Sequence, residues 1–486
     1  MKVSIITEGF LNTGYGHITR CLSLYQAFEE KRIYPVLYVN GDENSKAFLN
    51  NLDFKIIDWL HHPADLVKEI SYSDILIIDS YIAGKEFYEK ASQSCGISLF
   101  IDDTMRLEYP KGTILNGTLN AETFPYKKNS IHDYLLGSKY IPLRKEYGFF
   151  PGRKINKDVQ SILITFGGQD PKKLTKPVLN AVREMFPGFI LTVVIGNGFA
   201  DIDSFRSVEN ERTKFIFSPD SKKMNELMLS CDIAISAAGQ TLYELAATGT
   251  PAISIAVAEN QKPNIYEWKK NKFLIDPIFS TDINYLRKVT GQINSLLSIT
   301  QRKKAGSIGR AFVDGRGAQR VVEHLIDKHC LVNYFYLRKA VLDDSKNILA
   351  LSNEPSVRTQ SITKTQIGFD EHNKWFSKKI SEEDYIFLLA FDKKNNFIGQ
   401  VRFQIQNNSA VVSISIRNEF RGKGLSKKIL KEACIKTFRQ KNIEKIIAYI
   451  LPNNIASTKA FTSIGFVPDG EEILGDETFY KFVLSK

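Results

Sequence analysis

The sequence predicts an α/β protein in which two Rossmann-like domains are followed by a smaller α+β domain. Three observations carry this expectation. Residues 1–150 alternate short apolar runs with helical stretches, a second series of the same kind fills 151–330, and 334–486 changes to longer strands joined by short polar turns. The first two patterns are those of buried parallel strands with crossover helices, and the third is that of antiparallel hairpins. With 486 residues, 43% of them hydrophobic, the chain holds enough apolar material for about three domains of roughly 150 residues.

Taken in order, the first series places strands at 3–6, 36–39, 75–78 and 98–101. A segment at 147–158, with Pro151, Gly152 and several charges, reads as a linker. The second series gives strands at 161–166, 191–195, 215–217, 233–236 and 252–255. Two such halves joined by a linker enclose a cleft, and ligands bind these sheets at the carboxyl ends of the strands. This arrangement resembles the GT-B architecture. The pattern changes at 331–334. Beyond it come strands at 334–338, 385–391, 397–406 and 411–416, with turns such as Lys394-Asn395-Asn396 and Gln406-Asn407-Asn408. A helix from Leu425, a strand at 446–450, a further helix and one last strand complete the unit.

Composition narrows the class. The start meets Glu8 after a short apolar stretch, unlike a secretory signal, and no long uncharged apolar run follows. Five cysteines lie scattered with no CxxC pair, which argues against a zinc site or a disulfide scaffold. A reducing cytoplasm is the expected setting, with no metal and no membrane partner. The net charge is +11, and the residues from Tyr334 onward supply 24 Lys+Arg against 17 Asp+Glu. This excess gathers between Arg417 and Lys445, around a glycine loop, which suits a polyphosphate cofactor better than nucleic acid, for which no module is present.

Two glycine-rich turns stand between an apolar strand and a helix, where backbone N–H groups and the helix dipole favour an anion. In the first, Gly14-Tyr15-Gly16-His17, the histidine sits at a helix N-terminus, where the dipole disfavours the imidazolium and leaves a base available. Taken alone the turn reads equally as a structural turn with a surface histidine. Its company adds weight. Phe166-Gly167-Gly168-Gln169-Asp170-Pro171 and Ser236-Ala237-Ala238-Gly239-Gln240-Thr241-Leu242-Tyr243-Glu244-Leu245 each follow a strand, and Glu259-Asn260-Gln261 follows another. Turn amides there suit a diphosphate, and Glu244 suits ribose hydroxyls.

Together with Ile78-Asp79-Ser80-Tyr81 and Asp102-Asp103, these stretches make residues 1 to about 330 resemble the UDP-2,4-diacetamido-2,4,6-trideoxy-β-L-altropyranose hydrolases of pseudaminic acid biosynthesis, relatives of the MurG-type glycosyltransferases. The resemblance implies that His17 is the base for a water that attacks the anomeric carbon with inversion, without a metal. Tyr81, Asn260 and Gln261 would hold sugar and water. Gly14, Tyr15, Gly16, Arg20, Gly167, Gly168, Ala238, Gly239, Gln240, Thr241 and Glu244 would complete the UDP-sugar site. The residues themselves leave Asp102 and Asp103 open as turn caps and Tyr81 open as packing.

The second turn, Arg421-Gly422-Lys423-Gly424-Leu425-Ser426, resembles the acetyl-CoA loop of the GNAT acetyltransferases, and Asn454, Ser457, Phe461 and Gly465-Phe466 fall at that family's offsets. The resemblance implies that Arg421 to Ser426, Asn454 and Ser457 bind acetyl-CoA. Two residues depart from it. Glu419 stands where Gln or Arg is usual, and Phe461 replaces the tyrosine that often reprotonates the CoA thiolate, leaving Tyr449 as a candidate substitute. On the acceptor side, Arg358, Glu371, His372, Ser413 and Ser415 are the candidates, a helix with a satisfied His372 being the alternative. The two halves together imply a bifunctional enzyme acting on a UDP-linked amino sugar, with 4-N-acetylation preceding UDP removal. An inverting GT-B glycosyltransferase fused to a GNAT, or a hydrolase with a degenerate GNAT binding module, are the alternatives.

Overall fold

A computed structural model describes the chain apart from residues 11–14, 50–51, 127–131, 149, 151, 200–201 and 334. It divides into two units, Met1–Ile326 and Asp327–Lys486. The division falls within the helix Gly317–Asn333, a few residues before the change of pattern at 331–334.

The first unit contains two parallel sheets. One has seven strands, β1 (Val3–Gly9), β2 (Val36–Gly41), β3 (Phe54–Ile56), β4 (Ile75–Asp79), β5 (Ile97–Ile101), β6 (Gly112–Asn116) and β7 (His132–Leu136), in the order β3-β2-β1-β4-β5-β6-β7. The other has six, β8 (Ser161–Thr165), β9 (Ile190–Ile195), β10 (Thr213–Phe217), β11 (Ile233–Ala237), β12 (Ala252–Ala256) and β13 (Ile278–Phe279), in the order β10-β9-β8-β11-β12-β13. Alternation along the strands feeds two cores per sheet: Val3 and Ile5 pack on one face of the first sheet, Ile6 on the other. Both sheets are Rossmann-like, and in each the strand order reverses once, between β1 and β4 and between β8 and β11. The helix Gly317–Asn333 returns to the first domain, where Ala318, Val321, Val322 and Leu325, spaced as one helical face, enter its core.

The second unit is a mixed sheet of β14 (Tyr336–Lys339), β15 (Tyr385–Phe391), β16 (Phe397–Gln406), β17 (Ser409–Ile416), β18 (Lys445–Ile450), β19 (Val467–Leu474) and β20 (Glu477–Ser485), in the order β14-β15-β16-β17-β18-β20-β19. Its hairpins turn on Asn395 and Asn407, whose φ values of 61° and 50° are left-handed, a region asparagine tolerates. Asp392 accepts the amides of Lys394 and Asn396, both at 2.8 Å, and closes the first turn. β17 and β18 are the parallel pair, and they pair only through Ser409–Val411 and Lys445–Ile447 before parting.

Several strands escaped the sequence pattern. β3 and β13 are short, while β6 and β7 carry Thr113, Asn116, His132 and Asp133 among their apolar residues. The single last strand expected is a hairpin, because the largely exposed β19 has no apolar run to announce it. Among the described residues no helix is long and apolar enough to cross a membrane.

Candidate functional site

The loops at the reversal between β1 and β4 gather a charged cluster. His17 lies in the first turn of the helix Gly16–Glu29, and Asp79 closes β4. The His17 Nδ1 stands 2.7 Å from Asp79 Oδ1. Although burial opposes it, Arg20 and His17 hold the fully buried Asp79 carboxyl well below the usual carboxylate range. Nδ1 also lies 3.1 Å from Arg20 Nη2, which can only donate, but the shorter contact is to an ionised carboxylate that only accepts, so Nδ1–H is assigned to Asp79 and Nε2 of the neutral tautomer carries the lone pair. Nε2 meets no partner among the described residues.

The surroundings fix this pair. Arg20 donates through Nε to Asp79, through Nη2 to Asp79 Oδ1 at 2.5 Å and through Nη1 to Asp103 Oδ2 at 2.5 Å. The Tyr81 ring meets the imidazole edge-on, centroids 4.4 Å apart, and its hydroxyl donates to Asp103 Oδ2 at 2.8 Å. Burial and the Asp103 charge push the phenol well above its usual range, so it remains a donor. Glu8, buried at the end of β1, accepts from Ser80 Oγ and, at 2.7 Å, from the Tyr81 amide, and thereby sets the Ser80–Ala83 loop.

Two expected ligands are placed otherwise. Arg20 spends its fork on two aspartates rather than offering it to phosphate, and the buried Tyr15 phenol turns to Asp42. Asp102 caps its loop, accepting from the amides of Thr104 and Arg106, while Asp103 joins the cluster. Gly16 opens the helix with open space where a Cβ would stand, and Gly14 lies outside the described residues.

The second sheet offers its own reversal. Gly167 and Gly168 follow β8, with no heavy atom within 4 Å of where a Cβ would stand, and Gly239 follows β11, where such a carbon would meet only the Gln261 amide, at 3.5 Å. Ala238 and Gly239 lead into the helix Gln240–Thr248, Thr241 lies in its first turn, and the Gln240 side chain donates to Pro142 O at 3.0 Å instead of facing a ligand. Asn260 is exposed in the turn Glu259–Gln261, where Gln261 Oε1 accepts from the Val257 amide at 3.0 Å. Glu244 is buried; burial raises its carboxyl above the usual value while Arg144 and Tyr147 favour the charged form. Its immediate neighbours therefore come from the interdomain segment. Tyr243 joins the two domains: its hydroxyl donates to Asn264 Oδ1 at 2.6 Å and accepts from the Leu119 amide at 3.2 Å. Burial raises the Tyr243 phenol above its usual range, so it remains a donor.

The second unit holds a cavity of about 740 Å³ where β17 and β18 part. Arg358, Glu371, His372, Ser413, Ser415, Arg421, Gly422, Ser426, Asn454 and Ser457 line it. Gly422 and Gly424 have φ values of 75° and 77°, left-handed conformations that turn the loop into the helix Leu425–Gln440. Asn454 caps the next helix by accepting from the Ser457 amide at 3.1 Å. Arg421 is tied to Ile416 O at 2.7 Å, Ser356 Oγ at 2.5 Å and Glu354 Oε2 at 3.2 Å, and the Lys423 ammonium lies 5.7 Å from the Phe420 ring centre. Leu425 is a core residue, so its amide alone can serve a ligand.

Phe461 is buried edge-on against Phe466, centroids 5.0 Å apart. Tyr449 donates to Glu472 at 2.8 Å, and burial and that carboxylate push its phenol up to about 12, a poor acid for a thiolate. Arg358 is consumed by Ser352 O at 2.6 Å, Thr363 O at 3.0 Å and Ser361 Oγ at 3.1 Å, and so shapes its own loop. His372 is buried; burial lowers its pKa, and Nε2 donates to Ser345 O at 3.1 Å. It is the satisfied helix histidine, with one edge on the cavity.

Residues 335–467 match the model of the Acetyltransferase (GNAT) domain. The C-terminal unit carries a GNAT domain. An uncharacterized protein of Methanocaldococcus jannaschii is 24% identical over 96% of both chains. The pseudaminic acid cytidylyltransferase and UDP-2,4-diacetamido-2,4,6-trideoxy-beta-L-altropyranose hydrolase of Helicobacter pylori is 30% identical over 54% of this chain and 45% of its own. The chain thus spans under half of that relative. The spore coat polysaccharide biosynthesis protein SpsG of Bacillus subtilis is 24% identical over 67% of this chain and 98% of its own. The fusion read from the sequence, a hydrolase-like GT-B part joined to a GNAT domain, is borne out by these matches.

Sequence reasoning missed Asp79, Asp103 and Glu8 as members of the first cluster. Asp79 and Asp103 lay within quoted motifs, but their pairing spans 59 to 83 residues and follows from strand order. In the GNAT domain it missed Gln400 and Arg402, which line the cavity from β16.

Proposed function

We propose that the chain is a bifunctional nucleotide-sugar enzyme of pseudaminic acid biosynthesis. Its C-terminal domain transfers the acetyl group of acetyl-CoA to the C4 amine of UDP-4-amino-4,6-dideoxy-N-acetyl-β-L-altrosamine. Its first unit hydrolyses the product to UDP and 2,4-diacetamido-2,4,6-trideoxy-L-altrose, without a metal. The observation that carries the reading is the Asp79–His17 pair, with a lone-pair nitrogen at a strand-order reversal where such sheets bind ligands.

In the hydrolytic step His17 Nε2 takes a proton from water as the water oxygen bonds to the anomeric carbon. The bond from that carbon to the β-phosphate oxygen breaks on the opposite face, and UDP departs with inversion. Asp79 orients the ring and stabilises the imidazolium that forms. Tyr81, Asn260 and Gln261 hold sugar and water, and the amides of Gly167, Gly168 and Gly239 receive the diphosphate. Glu244 is proposed for the ribose; binding there would have to compete with Arg144 for the carboxylate.

In the acetyl transfer a neutral amine attacks the thioester carbonyl, a C–N bond forms, the C–S bond breaks and the nitrogen gives up one proton to water. The loop of Gly422 to Ser426 suits the cofactor pyrophosphate, and the parting of β17 and β18 leaves backbone groups free to take the pantetheine arm. With Phe461 unable to donate and Tyr449 committed to Glu472, the thiolate leaves as such or is protonated by water. The test is UDP release from the acetylated UDP-sugar by the parent chain and by His17→Ala. Release by the parent and a loss of at least about a thousandfold in the variant is expected. Equal rates would remove His17 from the mechanism.

A further inference from the structure

The acceptor end of the GNAT cavity is written on two antiparallel strands. In the β16–β17 register Gln400 stands opposite Ser415 and Arg402 opposite Ser413. Successive residues alternate faces, so Val401 and Phe403 enter the core while all four polar residues line the cavity. β18 has already left β17 at this level, which keeps the face open.

Neither Gln400 nor Arg402 is satisfied within the protein. Gln400 is 1% exposed, yet its buried Oε1 has no hydrogen-bond partner. A buried amide in that state is costly unless a ligand or water completes it. Arg402 donates from Nε to Ser413 Oγ at 3.1 Å, and its two terminal nitrogens find no acceptor among the described residues. The guanidinium lies 5.6 Å from the Trp375 ring centre and 5.9 Å from that of Phe387. Among the described residues no carboxylate pairs with it, and Glu371, which lines the cavity wall, is exposed. Beside it the Arg358 and His372 pKa values fall, through burial first and then through the charge of Arg402. Arg358 and Arg402 thus place positive charge at this end, with no carboxylate paired to either among the described residues.

We propose that Gln400 and Arg402 form a two-point ruler for the acceptor, Gln400 receiving the amine and Arg402 a phosphate oxygen carried by the same molecule. Two positions along a strand are about 7 Å apart. That is the reach of a pyranose with an amine on one side of the ring and an anomeric phosphate on the other. A guanidinium with both terminal nitrogens free matches a phosphate in bidentate fashion. The ruler admits phosphate-linked amino sugars and rejects polyamines, whose second cation would fall on Arg402. This inference rests on the acetyltransferase half of the proposed function and adds the chemistry that selects its acceptor.

The test measures CoA release by the full chain with three acceptors: the UDP-linked 4-amino sugar, the same amino sugar with a free anomeric hydroxyl, and spermidine. The parent is expected to prefer the UDP-linked acceptor. Arg402→Gln should raise the KM for it by roughly 10- to 100-fold, with the phosphate-free amine nearly unaffected and Arg402→Lys recovering part of the loss. Gln400→Leu should lower kcat for both sugars. Unchanged thermal stabilisation by acetyl-CoA and unchanged UDP release from acetylated substrate verify that the variants are folded. Equal losses on both sugars in Arg402→Gln, no loss at all, or a parent preference for spermidine would overturn the ruler. If the parent ignores this sugar but acetylates another phosphate-linked amine, with the same KM loss in Arg402→Gln, the ruler stands and the sugar named above falls.

Discussion

At the scale of residues, the first site depends on which nitrogen of His17 carries the proton, and Asp79 decides it. Asp79→Asn keeps the shape but can present either an acceptor or a donor to Nδ1. We expect hydrolytic kcat to fall by about 10²- to 10⁴-fold with little change in KM, measured as UDP release. Two pH windows follow from the shifted groups. His372 has a lowered folded pKa, so its contribution is complete above the ordinary imidazole value of about 6.5 and is lost as pH falls through the folded value. Asp79 is also depressed, but its contribution is lost only below about 3.9. Thermal unfolding between pH 8 and pH 5 should therefore weaken the second unit, and His372→Gln should flatten that dependence. His17 and Tyr81 could be nominated because they sit in short motifs. Asp79 as orienter and Arg402 as a free cation were not, because each role is created by a neighbour brought in by strand pairing.

At the scale of elements, the loop before the helix Leu425–Gln440 needs left-handed backbone at Gly422 and Gly424. A β-branched residue there is strained by about 1–2 kcal/mol and places a side chain over the amides that would meet pyrophosphate. Gly424→Val should raise the KM for acetyl-CoA at least about tenfold and leave hydrolysis unchanged. This loop could be read directly, since glycine spacing, a preceding apolar strand and a following helix are all local signals. The parting of β17 from β18 could not, because nothing in the local pattern of either strand marks where their pairing stops and their register is a long-range property. The hairpin of β19 and β20 was hidden for the opposite reason: an exposed strand carries no hydrophobic alternation.

At the scale of the whole chain, the first unit is held across its domains by polar contacts as well as by the returning helix Gly317–Asn333. Tyr243 is the clearest, its hydroxyl joining Leu119 to Asn264. Tyr243→Phe leaves the Leu119 amide without that acceptor and should cost about 1–3 kcal/mol in the denaturant-induced unfolding of this unit. The fold class was legible in the sequence because strand–helix alternation gives way to hairpin spacing along the chain. The most direct measurement follows UDP and CoA release together from the unacetylated UDP-4-amino sugar, with and without acetyl-CoA. A bifunctional enzyme of this kind releases CoA first, and UDP only when acetyl-CoA is present. UDP release at the same rate without acetyl-CoA, or CoA release never followed by UDP, would contradict the bifunctional reading.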